Sequence, residues 1–189
     1  MIKYFLLAGF LLSINVLQAQ KLSVDHGEIE FYTETVLSDI DAITEKVDAI
    51  LDIQTGVFEV SVSIESFEFE YELMQEHFNE DYMESEQFPL ATFKGKILQN
   101  ISNITKEMEV DASGEMTIHG VTKEIIAEVS MTYLDESEKT KIRAAGDLLG
   151  VEAKFNITLS DFDVENMILG SKVSDSIDIT VTMVGSNAM

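Results

Sequence analysis

Residues 57–69 read VFEVSVSIESFEF, and the alternation of apolar and polar side chains in this stretch decides the fold. From Phe58 to Ile64 every second residue is apolar, and each residue between them is Glu or Ser. Successive side chains of a β-strand point to opposite faces. The period of two therefore predicts a half-buried strand with one dry face and one wet face.

The same period of two recurs along most of the chain. The further strands that it predicts run at 91–97, 108–118, 125–133, 151–159 and 177–183, with shorter ones at 29–31 and 47–53 and a weaker candidate at 139–147. Antiparallel sheets with one covered face produce such alternation, whereas strands of parallel sheets are apolar on both faces and need crossover helices. The pattern thus predicts an all-β, antiparallel fold.

One helix is expected, over about residues 70–83, where Leu73, His77 and Tyr82 recur at near-helical spacing. It should end before Pro89, the only proline. About eight strands with one inserted helix indicate a sandwich or a closed barrel, which periodicity does not separate because both place alternate residues inside. An eight-stranded barrel has an interior that side chains just fill or that holds one small ligand.

Turn signals divide the predicted strands. His119-Gly120 is expected to shape a hairpin turn. Loop tips are expected at 100–103, at 135–138 and at Ser113-Gly114, where Asn, Asp, Ser or Gly cluster. No internal repeat or linker divides the chain, which indicates a single domain.

The first twenty residues have the pattern of a signal peptide. Lys3 precedes an apolar run from Tyr4 to Leu12, and small or polar residues follow at 18–20. The run is shorter than the ~20 residues that a membrane-spanning helix needs. We therefore expect a leader over 1–20, a mature β-barrel domain over 21–189 without a transmembrane segment, and a periplasmic or secreted location.

The composition excludes several classes of function. Twelve Lys and Arg against 35 Asp and Glu give a net charge of −23, which becomes −24 when Lys3 leaves with the leader. Such a charge disfavours nucleic acid and anionic lipid headgroups as partners, because both bind through cationic side chains. The chain has no Cys, so it can form neither disulfides nor thiolate sites, and its 46% hydrophobic residues argue against a disordered acidic tail.

The sequence offers no clear catalytic or metal-binding motif. His26, His77 and His119 lie far apart, and none has the spacing of a metal ligand set. No GxSxG elbow or glycine-rich phosphate loop occurs. We expect no enzyme, no metal and no cofactor, and keep as a minor alternative a small hydrolase or isomerase that uses His119 or His77.

Two segments resemble the signature blocks of the YceI-like family. They are EQFPLATFKG at 86–95 and GEMTIHGVTK at 114–123, and the second, with its His-Gly turn and Val-Thr-Lys exit, is the sharper. The resemblance covers most of residues 21–184. It implies an exported, lipocalin-shaped barrel whose elongated interior accepts a long-chain isoprenoid or a related amphiphile, without catalysis.

The resemblance favours a ligand cavity over a filled interior. The expected function is binding of a polyisoprenoid, isoprenoid quinone or similar lipid for transport, storage or sequestration in the cell envelope. The alternative is a structural or interaction protein with a filled barrel and no ligand. The residues expected to line the ligand are Phe58, Val60, Val62, Ile64, Phe93, Val110, Ile125, Val129, Phe155 and Ile157.

An uncharged headgroup suits the acidic chain better than a pyrophosphate does. A pyrophosphate would need nearby cations, and the alternation points Lys94 and Lys96 outward. The candidate cations for a phosphate are Lys94, Lys96, Lys123, Arg143 and Lys154.

Overall fold

The computed structural model describes residues 21–35, 39–136, 146–165 and 173–186. The expected leader, over 1–20, and most of the weak strand candidate at 139–147 lie outside these residues. The strands in the described part are β1 Lys21–Thr33, β2 Ile40–Thr44, β3 Val47–Asp52, β4 Val57–Ser63, β5 Glu68–Phe69, β6 Leu90–Ile97, β7 Met108–Ile118, β8 Val121–Leu134, β9 Leu148–Thr158 and β10 Ser176–Ser186.

The sheet is antiparallel and closes on itself. Around the barrel the strands follow the order β1, β3, β4, β6, β7, β8, β9 and β10. The last strand pairs again with the first, from Ser23 opposite Ser186 to Tyr32 opposite Asp178. This closure confirms the predicted eight-stranded antiparallel barrel.

Two strands of the barrel are interrupted. One consists of β2 and β3, and the other consists of β4 and β5. β1 pairs with β3 through Lys21–Ser23 and with β2 through Ile29–Thr33, so β2 and β3 occupy one side of β1 in succession. β4 and β5 are likewise separated by a 3₁₀ turn at Ile64–Ser66. The hydroxyls of Thr44 and Ser66 are 2.7 Å apart and join the two interruptions.

One helical segment is inserted between β5 and β6, as predicted. It consists of α1, Glu72–His77, followed without a break by a π turn at Phe78–Tyr82. The Met83 amide donates to the Phe78 carbonyl at 2.9 Å, the i to i+5 bond of a π turn. We call the end of the barrel that carries this segment the helix end. None of the helices in the described part of the chain has the length and apolarity that crossing a bilayer demands.

The opposite end, which we call the loop end, carries the β6–β7 loop, residues 98–107. Ile101 in this loop is 1% exposed and belongs to the same buried core cluster as Ile97, Met131 and Leu149. The loop tip predicted at 100–103 is confirmed, since the Asn100 side chain accepts from the Ser102 amide at 3.0 Å. Ile101 thus helps to close the barrel at the loop end.

The β7–β8 hairpin turn forms at the predicted position. His119 and Gly120 have φ angles of 49° and 76°, the positive values of the two-residue turn that matches strand twist. The loop tip predicted at Ser113-Gly114 is wrong, because both residues lie inside β7 and Gly114 faces Gly95 across the ladder. A Cβ on Gly114 would lie 2.2 Å from the Lys94 carbonyl oxygen, so this glycine serves close strand packing.

Candidate ligand-binding site

The barrel encloses a cavity of about 460 Å³ that extends from the helix end toward the loop end. Its wall consists mainly of apolar side chains from the inward faces of the barrel strands, together with residues of the helical segment. The volume falls within the ~300–1,000 Å³ of small-molecule sites. The cavity can therefore exclude water from an apolar ligand of moderate size.

Most of the residues expected to line a ligand face this cavity. Those on its wall are Phe58, Val60, Val62, Ile64, Phe93, Val129, Phe155 and Ile157. They come from four strands of the barrel, β4, β6, β8 and β9, and from the turn after β4. The inward faces deduced from alternation thus meet around one space.

Two of the expected lining residues do not reach the cavity. Val110 is 3% exposed and packs in the core opposite Val129 on β8. Ile125 is half-buried opposite Gly114 and packs against the core cluster nearer the helix end. Facing inward therefore does not by itself place a residue on the cavity wall.

Small side chains leave room for the cavity. Ala49, Ala91, Ala112, Ala127 and Ala153 all lie on its wall. Ala112 and Ala127 are paired on the neighbouring strands β7 and β8, so two small side chains lie side by side at that point of the wall. A larger side chain at any of these positions would occupy the space that a ligand needs.

Four phenylalanines form a cluster at the helix end that the sequence interpretation missed. Phe78 lies 5.5 Å from Phe31, 5.8 Å from Phe67 and 5.0 Å from Phe69, measured between ring centroids. All four rings line the cavity. Phe67 and Phe69 belong to the stretch that opened the sequence analysis, so the alternation that resumes at Phe67 was an available signal.

The cavity wall carries a few polar side chains, and three of them, Thr33, His77 and Tyr82, lie at the helix end. Thr33 is 4% exposed, and its hydroxyl can donate to the carbonyl of Ser174 or of Ser176, each at 3.3 Å. Burial, and to a smaller extent the charge of Asp81, raises the pKa of Tyr82. A tyrosine hydroxyl is protonated at neutral pH, and this shift extends the protonated range to higher pH.

The three histidines are not brought together. His26 is exposed on β1, and His77 lies on the cavity wall at the helix end. His119 lies in the β7–β8 turn, where its Nε2 is 2.9 Å from a Glu84 carboxylate oxygen and its ring is 4.4 Å from that of Phe88. Within the described ranges, no group of three or more His, Asp or Glu side chains could hold a metal ion.

The candidate phosphate-binding cations that the structure describes lie on the outer surface. Lys94 forms an ion pair with Glu59 at 2.7 Å, and both side chains are more than half exposed. Lys96, Lys123 and Lys154 are also exposed. Arg143 lies outside the described residues. Of the residues described, no lysine or arginine is on the cavity wall.

A comparison with known families decides the identity of this barrel. The YceI-like domain matches residues 20–185, which is nearly the whole described chain. The chain belongs to the YceI-like family. The resemblance of segments 86–95 and 114–123 is thereby confirmed, and in this member the second segment forms the β7–β8 hairpin. No match is found among curated proteins.

Solved structures share the YceI-like fold at low sequence identity. A polyisoprenoid binding domain from Saccharophagus degradans has a TM-score of 0.71 and 14% identity, covering 87% of this chain and 97% of its own. BcnA from Burkholderia cenocepacia has a TM-score of 0.64 and 16% identity, covering 84% and 95%. The Campylobacter jejuni YceI protein has a TM-score of 0.52 and 18% identity, covering 96% and 97%.

Proposed function

We propose that this protein binds a long-chain amphiphilic lipid, such as a polyisoprenoid or an isoprenoid quinone, inside its barrel and catalyses no reaction. The observation that carries the proposal is the apolar cavity of about 460 Å³. Burial of a hydrocarbon chain there contributes ~25 cal/mol per Å² of apolar surface removed from water. Costs of association and ordering offset part of that gain.

The similarity to a structure described as a polyisoprenoid binding domain supports this ligand class. In our proposal the leader exports the protein to the periplasm or the exterior, where it transports, stores or sequesters the lipid. The alternative of a filled structural barrel requires a packed interior, and the cavity is the observation against it.

The first test is chemical. Lipids extracted from the purified mature protein are identified by mass spectrometry, and an isoprenoid alcohol is added to the delipidated protein in a thermal unfolding assay. At a free ligand concentration of about one hundred times the Kd, binding should stabilise the fold by about 2.7 kcal/mol, because the ligand binds only the native state. Absence of both extractable lipid and any thermal shift would overturn the proposal.

A matched pair of variants locates the binding. Ala127 is 2% exposed on the cavity wall, and its neighbour Ile126 is 67% exposed on the outer face. Ala127→Phe should place a ring across the cavity and greatly reduce the thermal shift, whereas Ile126→Phe should leave the shift unchanged. Circular dichroism of both ligand-free variants checks that the barrel is intact. Equal shifts in the two variants would place the ligand elsewhere.

We further propose that the bound headgroup is uncharged. The described lysines lie outside the cavity, so a buried phosphate would lack the charged partner that it needs. A prenyl alcohol should therefore bind at least as tightly as the corresponding prenyl phosphate. Clearly tighter binding of the phosphate would contradict this part of the proposal.

A further inference from the structure

Resting on this proposed function, we infer that His77 and Tyr82 form a polar subsite that binds an uncharged, hydrogen-bond-accepting headgroup, such as a quinone carbonyl, at the helix end. The hydrocarbon chain then extends toward the loop end. The inference follows from how polar groups are distributed along the cavity and from which of them are free to bind a ligand.

The two ends of the cavity differ in chemistry. Toward the loop end the wall contains Ile97, Met131 and Leu149, which are all at most 5% exposed, and Ser23 supplies a single hydroxyl there. A headgroup there would lose its contacts with water and gain few hydrogen bonds in return. At the helix end, His77 is exposed and Tyr82 is half-buried, so a headgroup beside them keeps partial contact with solvent.

The local backbone explains why two residues five apart reach the same cavity. In an α-helix such residues point about 140° away from each other. Here the chain changes from α1 to the π turn at Phe78, and both His77 and Tyr82 lie on the cavity wall. Single π turns within helices are rare and frequently occur at functional sites.

Both side chains are available as hydrogen-bond donors. In the described part of the chain neither the His77 ring nor the Tyr82 hydroxyl makes a hydrogen bond. The Tyr82 hydroxyl is protonated at neutral pH, as any tyrosine hydroxyl is, and it can donate to a carbonyl oxygen.

The surrounding charges select against an anionic head. Glu76, Glu80 and Asp81 are exposed on the same helical segment, next to His77 and Tyr82. They would repel a phosphate or a carboxylate at this end of the barrel. A carbonyl carries no net charge and accepts hydrogen bonds, so it fits both the donors and the acidic surroundings.

The test compares two probes of similar hydrocarbon character. One is a short-chain isoprenoid quinone, and the other is squalene, which has no polar atom. Tyr82→Phe and His77→Phe should each weaken quinone binding by about three- to tenfold, the value of one neutral hydrogen bond, and should leave squalene binding unchanged. Tyr71→Phe is the matched control, because Tyr71 is exposed on the same segment and lies off the cavity wall.

A spectroscopic measurement separates hydrogen bonding from a change in shape. The infrared carbonyl stretch of the bound quinone should lie at lower frequency in the native protein than in Tyr82→Phe, because a hydrogen bond weakens the C=O bond. Unchanged stretch and affinity, or equal weakening of both probes, would overturn the subsite while leaving lipid binding intact. If neither probe binds the native protein, the proposed function itself fails, and the subsite fails with it.

Discussion

At the scale of single residues, two glycines allow the backbones of β6 and β7 to approach each other closely. Gly95 and Gly114 face each other on β6 and β7, and a Cβ on Gly95 would lie 2.1 Å from the Ser113 carbonyl oxygen. That atom belongs to the backbone, so it can yield only if the strands separate. Because both residues have a hydrogen in place of Cβ, β6 and β7 can stay close enough to keep their backbone hydrogen bonds here.

Gly95→Ala should consequently destabilise the fold by more than about 3 kcal/mol, which is in the range of severe single substitutions. The control is Gly150→Ala in β9, where an added Cβ would meet its nearest atom at an ordinary 3.7 Å. Urea unfolding of both variants measures the two free energies. Similar stability of the two variants would show that the close approach is relieved without cost.

Tyr133 gives a prediction for alkaline pH. Its hydroxyl donates to Asp147 at 2.7 Å, and this hydrogen bond, with burial and the nearby carboxylates, raises the pKa of Tyr133 to about 12. The folded state holds this proton more tightly than the unfolded chain, whose pKa is near 10. The stabilisation is therefore complete below pH 10 and is lost as the pH rises toward 12.

The measurement is the free energy of unfolding of the native protein and of Tyr133→Phe across this pH range. The advantage of the native protein should be constant below pH 10 and should disappear near pH 12. A difference that does not change with pH would mean that the Tyr133 proton is not linked to folding.

At the scale of elements, the helical segment packs on the barrel through Phe78, which contacts Phe31, Phe67 and Phe69. Each aromatic pair contributes about 0.5–1.5 kcal/mol beyond area burial. In Phe78→Ala the helical segment should therefore detach from the barrel while the strands stay folded. The amide hydrogens of the segment should exchange at least about tenfold faster than in the native protein.

Leu73→Ala serves as the control for this experiment, since Leu73 is on the same segment and 60% exposed. Hydrogen exchange followed by mass spectrometry should show no acceleration for Leu73→Ala in residues 72–83. Equal acceleration in the segment and in β7 and β8 would indicate global unfolding of Phe78→Ala instead.

Alternation predicted the strands well, and it also contained a signal for their interruptions. Between Ile64 and Phe67 the apolar positions change from even to odd residue numbers, and the structure has its 3₁₀ turn there. The inward positions change in the same way between Thr44 and Val47. The continuous strand expected over 57–69 is thus two strands, because a change of phase requires a break in the pleat.

The cavity itself was harder to predict, because it depends on the volumes of the inward side chains and not only on which side chains point inward. Alternation identifies inward residues, but it does not distinguish Val129, on the cavity wall, from Val110, which is packed beside it. The position of Ile101 was also inaccessible to pattern, since a loop has no period. Which interior positions remain empty is decided by the simultaneous packing of distant segments.

At the scale of the whole molecule, the net charge of −23 acts on the stability of the barrel. Mutual repulsion among carboxylates favours expanded states, and local pairs such as Lys94 with Glu59 offset only part of it. Sodium chloride screens this repulsion, and the Debye length is already about 8 Å at 0.15 M. The melting temperature should therefore rise with salt, most steeply below roughly that concentration.

A variant with fewer negative charges is the control for the salt dependence. Glu115→Lys, on the exposed face of β7, reduces the net negative charge, so its melting temperature should depend less on salt than that of the native protein. Sucrose, which carries no charge, should affect the two proteins equally. A melting temperature that falls with added salt would show that favourable ion pairs, and not repulsion, dominate the electrostatics of the folded barrel.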